Sequence, residues 1–245
     1  MTPAFVYIKF WTRKVYMIKQ VANYFYTLLN LKKYRNNKII IVTDEKEKEL
    51  PASCPMLRTN IVWKGSNNTL IIKKPTSYSC LDISFCGDNN VLSFGKNLRG
   101  EIHCTVAGNN NSVSFGNRVE CAKMNILLHD DEKITIGDNC MLANNLIIFT
   151  DGHSIYDATT KECLNAPPHS IEIGNHVWVG QNVTILKNVK IPNNSVIGAN
   201  STVTKIFDKE NCVIAGNPAQ IVKENINWNG IKPVIFNVEN INPNF

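Results

Sequence analysis

The chain has 245 residues, enough for one large domain or two small ones, and its 44% hydrophobic content can supply an extended core. The formal charge of +6 is uneven: residues 1–38 carry eight Lys or Arg and no acid, leaving about −2 (6 − 8) on the rest, so the body lacks the basic surface a nucleic-acid groove needs. Eight cysteines show no C-x-x-C pair and no histidine at zinc spacing, which argues against a zinc module and suits a reduced compartment such as the cytoplasm.

Residues 1–55 form the first segment. After Pro3 there is no Gly or Pro up to Tyr34, and Lys9, Arg13, Gln20, Asn23, Thr27 and Asn30 fall along one helical face, which predicts an amphipathic helix over 3–34. Its longest uncharged run, Gln20 to Leu31, is too short to cross a bilayer, and no signal-peptide pattern precedes it. The helix is expected to pack on the body or on a neighbouring subunit. The alternative is an interfacial helix on an anionic membrane, with Trp11, Tyr16, Phe25 and Tyr26 in the headgroup region, a peripheral contact through residues 3–34. KIIIV at 38–42 predicts a short strand, and DEKEKELPASCP at 44–55 an exposed linker.

From residue 60 to 148 a loose repeat appears. GDNNVLSFG begins at Gly87, GNNNSVSFG at Gly108 and HDDEKITIG at His129, each 21 residues after the last, with an imperfect earlier copy at Gly65. This register gives Phe94, Phe115 and Ile136 equivalent inward positions and makes Cys121 and Cys140 small core residues. Asn, Gly and Asp dominate the turns because tight corners demand positive φ, and stacked asparagines are expected to bond to one another up the side. His103 and His129 read as turn or surface residues.

The repeat becomes strict over 171–207. Ile173, Val179, Ile185, Ile191, Ile197 and Val203 recur every six residues; Val177, Val183, Val189, Ser195, Ser201 and Phe207 follow each by four. Helices want apolar residues three and four apart and half-buried strands want every second one. A period of six therefore means a short strand plus a turn, three such units closing a triangular coil of 18 residues. Coils of this kind stack about 4.8 Å apart as parallel strands. The hexads are expected to be regular through Leu142 and Ile148. Residues 149–170, FTDGHSIYDATTKECLNAPPHS, then form a loop inserted where the coil should continue, the position at which repeat proteins place binding surfaces.

The spacing, together with HVWVGQN, IGANSTVTK and AGNPAQIVK, resembles the hexapeptide-repeat acyltransferases over roughly 87–223. The resemblance implies a mainly β, left-handed parallel β-helix domain over 56–223; the period itself does not give the hand, which runs against the usual right-handed crossover. Within TDGHSIYD it implies that His153 is the general base, accepting the proton of a hydroxyl as that oxygen attacks a thioester. Asp151 and Asp157 are both candidates to orient the imidazole, and the residues do not choose between them. Trp178, outward between two inward valines, is placed by the same resemblance in the active-site wall.

The resemblance further assigns acetyl-CoA to Gln181, Ala199, Thr204, Lys205 and Lys223, the last meeting nucleotide phosphates, and requires no metal. Gln220 stands where many relatives carry a second Lys or Arg, a departure that implies either weaker phosphate binding or a shift of that role to Lys209. It implies a homotrimer with sites between subunits, and an acetyl-CoA-dependent O-acetyltransferase acting on a surface glycan such as capsular polysaccharide or polysialic acid. The rivals are an N-acetyltransferase of an amino-sugar nucleotide and a non-catalytic β-helix scaffold. Residues 224–245 lose the period and predict a short helix and extended tail, anchored by Trp228 and Phe236.

Overall fold

The computed structural model describes residues 35–54, 56, 58–149, 152–166 and 169–230, together with 21, 22 and 25. The predicted helix over 3–34 and the anchor Phe236 therefore lie outside the described residues, and the described part of the tail, 224–230, contains no helix. None of the described helical residues belongs to a helix long and apolar enough to cross a membrane.

The body is a left-handed parallel β-helix of about seven turns. One face stacks the strands Thr69–Lys73, Val91–Phe94, Ser112–Phe115, Lys133–Ile136, Ser170–Ile173 and Val189–Ile191 in parallel register. Phe94, Phe115, Ile136, Ile173 and Ile191 lie directly over one another, each no more than 3% exposed. The strict hexads behave as their period requires, since all six residues of the Ile173 series and all six of the Val177 series are buried. The strands are short, two to four residues over 170–203, so a coil holds few apolar side chains and relies on the coils above and below to cover them.

Three expectations are corrected. First, the parallel stack takes in Lys38–Val42, which pairs with Thr69–Lys73, upstream of the expected boundary at residue 55. Second, the supposed linker contains a strand, Glu47–Pro51, that returns antiparallel along Lys38–Val42; alternating charges suit its exposed edge. Third, the inward residue after Leu142 is Ile147 and not Ile148: Ile147 aligns with Ile126 and Ile185, and Phe149 is buried as well. One residue is missing from that hexad, and the chain absorbs the difference by turning Asn145 inward. Burial pushes the Cys104 and Cys140 thiols up to about 12 and raises that of Cys121 as well, as expected of core residues.

The corners are built from amides. Asn67, Asn89 and Asn110 hold φ near +60° and pass a side-chain hydrogen bond from coil to coil, ending at Asp131. One residue further along, Asn68, Asn90 and Asn111 form a second column inside the prism. The Asn90 Nδ2 donates to Asn68 Oδ1 (2.9 Å) and to Gly108 O (2.9 Å), while its Oδ1 accepts from the amide and side chain of Asn111. All three are at most 1% exposed, so every bond replaces one to water. Close stacking also excludes a side chain at Gly100, where φ is +98° and a Cβ would stand 1.6 Å from Cys121 O.

Because Asn90→Ala strands several buried polar groups at once, it is expected to cost about 3 kcal/mol. In the exposed column Asn89→Ala should cost about 1 kcal/mol, mainly the strain of a positive φ. Urea denaturation of both variants reads the difference.

Candidate functional site

The insertion runs between the strands Met141–Ile148 and Ser170–Ile173. Coils below it repeat every 21 residues and coils above it every 18, whereas the corner bond across it, from Asp138 N to Asn175 Oδ1, spans 37. The predicted limits shift slightly, because Phe149 still belongs to the core and Ser170 already belongs to the next strand.

The loop is held by its own polar groups. Asp157 Oδ1 accepts from Thr159 N and Thr160 N (2.8 and 2.7 Å), and these bonds hold its carboxyl below the usual carboxylate range. Asp157 thus starts a turn of the loop through Oδ1. Asp151 lies outside the described residues. Asn165 Nδ2 donates to His153 O (3.0 Å) and Asn165 Oδ1 accepts from Ile155 N, tying the two limbs of the loop together where His153 sits.

His153 lines a cavity of about 270 Å³ between this loop and the body. Its other walls include His129, Asp130, Glu132, Phe149 and His169. His129 is exposed, as expected of a surface residue, and it also lines this cavity. His103 lies in the strand Arg99–Ala107 between Glu101 and Asp82, away from it.

The cavity floor departs from the pattern of the fold. Glu132 follows Asn111 by 21 residues in the inner column, and its amide donates to Asn111 Oδ1 as an asparagine's would. Its side chain cannot continue the ladder, since a carboxylate offers no N–H. It turns instead to His169, whose Nδ1–H donates to Glu132 Oε1 at 3.0 Å, the two side chains being 2% and 7% exposed respectively. Among the described residues Glu132 Oε2 has no partner. Burial pushes the Glu132 carboxyl above the usual range, and the His169 hydrogen bond pulls it part of the way back. Neither residue was singled out from the sequence; the available signal was an acid where Asn68, Asn90 and Asn111 repeat.

The other predicted residues are distributed along the prism. Trp178 is 41% exposed at a different corner, 6.1 Å from the ring of Trp228, and is not part of the His153 cavity. Trp228 itself is anchored as expected, stacked on His176 at 4.4 Å with its Nε1 donating to His176 O. Gln181 and Ala199 occupy successive coils of a third corner, where a Cβ on Gly180 would stand 2.9 Å from Ala199 N, leaving a narrow strip of small residues. Beyond it, exposed Thr204 and Lys205 face the terminal hairpin formed by Val213–Gly216 and Ala219–Lys223. Lys205 Nζ donates to Gln220 Oε1 at 2.6 Å, so Gln220 holds a cation here. Lys209 pairs with Glu224 at 2.5 Å. No three His, Cys, Asp or Glu among the described residues are grouped to hold a metal.

Comparison with known proteins agrees with this architecture. The family described as "Bacterial transferase hexapeptide (six repeats)" matches residues 170–205, and "Hexapeptide repeat of succinyl-transferase" matches 134–150. The polysialic acid O-acetyltransferase of Neisseria meningitidis is 38% identical over 188 residues, 67% of this chain and 87% of that protein. The galactoside O-acetyltransferase of Escherichia coli K12 is 41% identical over 105 residues, covering 42% of this chain and 50% of the relative, so the chain spans only half of that protein's length. Among solved structures, that of the polySia specific acetyltransferase NeuO superposes with a TM-score of 0.69 at 32% identity, covering 82% of this chain and 88% of the other.

The Glu132 site predicts a pH-dependent stability. Its folded-state pKa is raised, so the wild-type fold is favoured while the carboxyl is protonated and loses that advantage as pH rises above the unfolded value of about 4.5. Glu132→Gln keeps the shape and the bond from His169. It should raise stability by about 1 kcal/mol at neutral pH and by progressively less toward pH 4, measured by thermal unfolding across that range.

Proposed function

The chain belongs to the hexapeptide-repeat transferases, and on that basis we propose that it is an acetyl-CoA-dependent O-acetyltransferase acting on a sugar hydroxyl of a surface glycan of the capsular-polysaccharide type. The observation that carries this reading is the placement of His153 on a cavity where the inserted loop interrupts the β-helix. The names of the relatives support an O-linked acceptor, since both compared enzymes are O-acetyltransferases of sugars.

In this mechanism an acceptor hydroxyl enters the cavity and His153 takes its proton as the oxygen attacks the thioester carbonyl carbon. The tetrahedral intermediate collapses with cleavage of the C–S bond. The imidazolium returns its proton to the departing thiolate, so the products are the acetyl ester and CoA. The donor lies along the strip from Gln181 through Ala199 toward Thr204, with its phosphates near Lys205 and Lys223. Trp178 completes the site from a neighbouring subunit of a homotrimer; its exposure and its separation from the His153 cavity within one chain support that arrangement.

His153→Ala is expected to lower kcat at least about a hundredfold with little change in the KM for acetyl-CoA, read as thiol release with a glycan acceptor. Undiminished turnover in that variant overturns the mechanism and favours the scaffold reading; transfer to amino sugars alone favours the N-acetyltransferase. Lys205→Ala should raise the KM for acetyl-CoA about tenfold at nearly constant kcat, because a phosphate contact is made equally in ground and transition states.

A further inference from the structure

The inner amide column is a run of equivalent positions whose chemistry changes at Glu132. Asn37, Asn68, Asn90 and Asn111 each satisfy their amides within the prism, yet the next position, Glu132, gives up half of that pairing. A fold that needed only a corner would keep asparagine, since a buried carboxylate with an open oxygen is unfavourable. The substitution falls at the one coil carrying the inserted loop, and Glu132 lines the same cavity as His153. His169, from the far end of the insertion, spends its Nδ1–H on Glu132 Oε1, which fixes the carboxylate and leaves Oε2 uncommitted among the described residues. A buried acceptor held this way is preorganised for a hydrogen-bond donor that arrives with the substrate.

We propose that Glu132, positioned by His169, recognises the acceptor: its Oε2 takes the hydrogen bond of a second sugar hydroxyl, adjacent to the one that is acetylated. This rests on the O-acetyltransferase reading and narrows its substrate class. The acceptor presents an edge of at least two neighbouring hydroxyls to the cavity, and it enters by that edge and not by a carboxylate. Asp130 on the same wall strengthens the discrimination, since two carboxylates repel an acidic edge at close range. Glu132 is thus a specificity residue that touches substrate, and His169 a positioning residue that acts through it.

The test compares wild type with Glu132→Asn, which installs the residue used at the four equivalent positions Asn37, Asn68, Asn90 and Asn111 and lets the ladder continue. The readouts are the KM and kcat for a sialic-acid oligomer or other polyhydroxylated glycan, the KM for acetyl-CoA, and hydrolysis of acetyl-CoA without acceptor. The expected result is a rise of about tenfold or more in the acceptor KM, larger than any change in the acetyl-CoA KM. A deoxy acceptor lacking the neighbouring hydroxyl should lose about tenfold against wild type and nothing against Glu132→Asn, because the pairing it lacks is already gone. His169→Asn should reproduce the acceptor defect, and combining it with Glu132→Asn should add little. If Glu132→Asn fails to fold, as judged by thermal melting, Glu132→Gln carries the same comparison. An acceptor KM within twofold of wild type in the folded variant, or equal discrimination against the deoxy acceptor by both proteins, overturns the role of Glu132 while leaving the transferase assignment intact. Absence of transfer to any hydroxylated sugar by the wild type overturns that assignment, and this inference with it.

Discussion

A coil of eighteen residues cannot cover its own inward side chains; only another coil laid directly upon it can. Everything regular in this protein follows from that constraint. Ile173 needs Ile136 beneath and Ile191 above, and the parallel bonds that hold those strands also fix their register. Corners must then turn at the same height in every coil, which is why asparagine at positive φ recurs there and why its amide finds an identical amide one coil away. Apolar rows and amide columns are two answers to one requirement, that nothing inside a narrow prism be left without a neighbour.

The same constraint explains where chemistry can be placed. A rod of identical coils offers flat faces, and a cavity requires that the repeat be broken without unstacking it. Here the break is confined to one corner. Strands on either side of the inserted loop remain in register, while the loop bends back on turns of its own, with Asp157 starting one and Asn165 closing another. The floor of the cavity lies against the stacked coils, since Glu132 directly precedes the strand Lys133–Ile136 and His169 the strand Ser170–Ile173.

Periodicity made the β-helix legible before any coordinates. The strict hexads named twelve buried residues over 173–207, and all twelve are buried; the 21-residue copies located the phenylalanine column and the core cysteines. The site was legible only in part. The loop was marked by the interruption of the repeat, and His153 within it by the family resemblance of TDGHSIYD; His153 lines the cavity. The turn role of Asp157 is not marked by the sequence, because an acid two or three residues before threonine amides is as ready to start a turn as to orient an imidazole, and one-dimensional order does not separate the two. Glu132 and His169 stand 37 residues apart along the chain, so nothing local joined them. Residues 44–55 read as linker because charge alternation on a solvent-exposed edge strand looks the same as charge in a loop.

What the sequence determined by itself was the repeat, its inward rows, its corners and the point of interruption, since each of these is a matter of spacing along one chain. What the tertiary structure alone decided was which side chains meet across coils: the Glu132–His169 pair, the Lys205–Gln220 bond and the placement of Trp178 at a different corner from His153. The physical reason is that stacking converts separations of fifteen to forty residues into contacts of about 3 Å, and a period records the rise of the coil but not the partner a polar atom chooses once it is buried there.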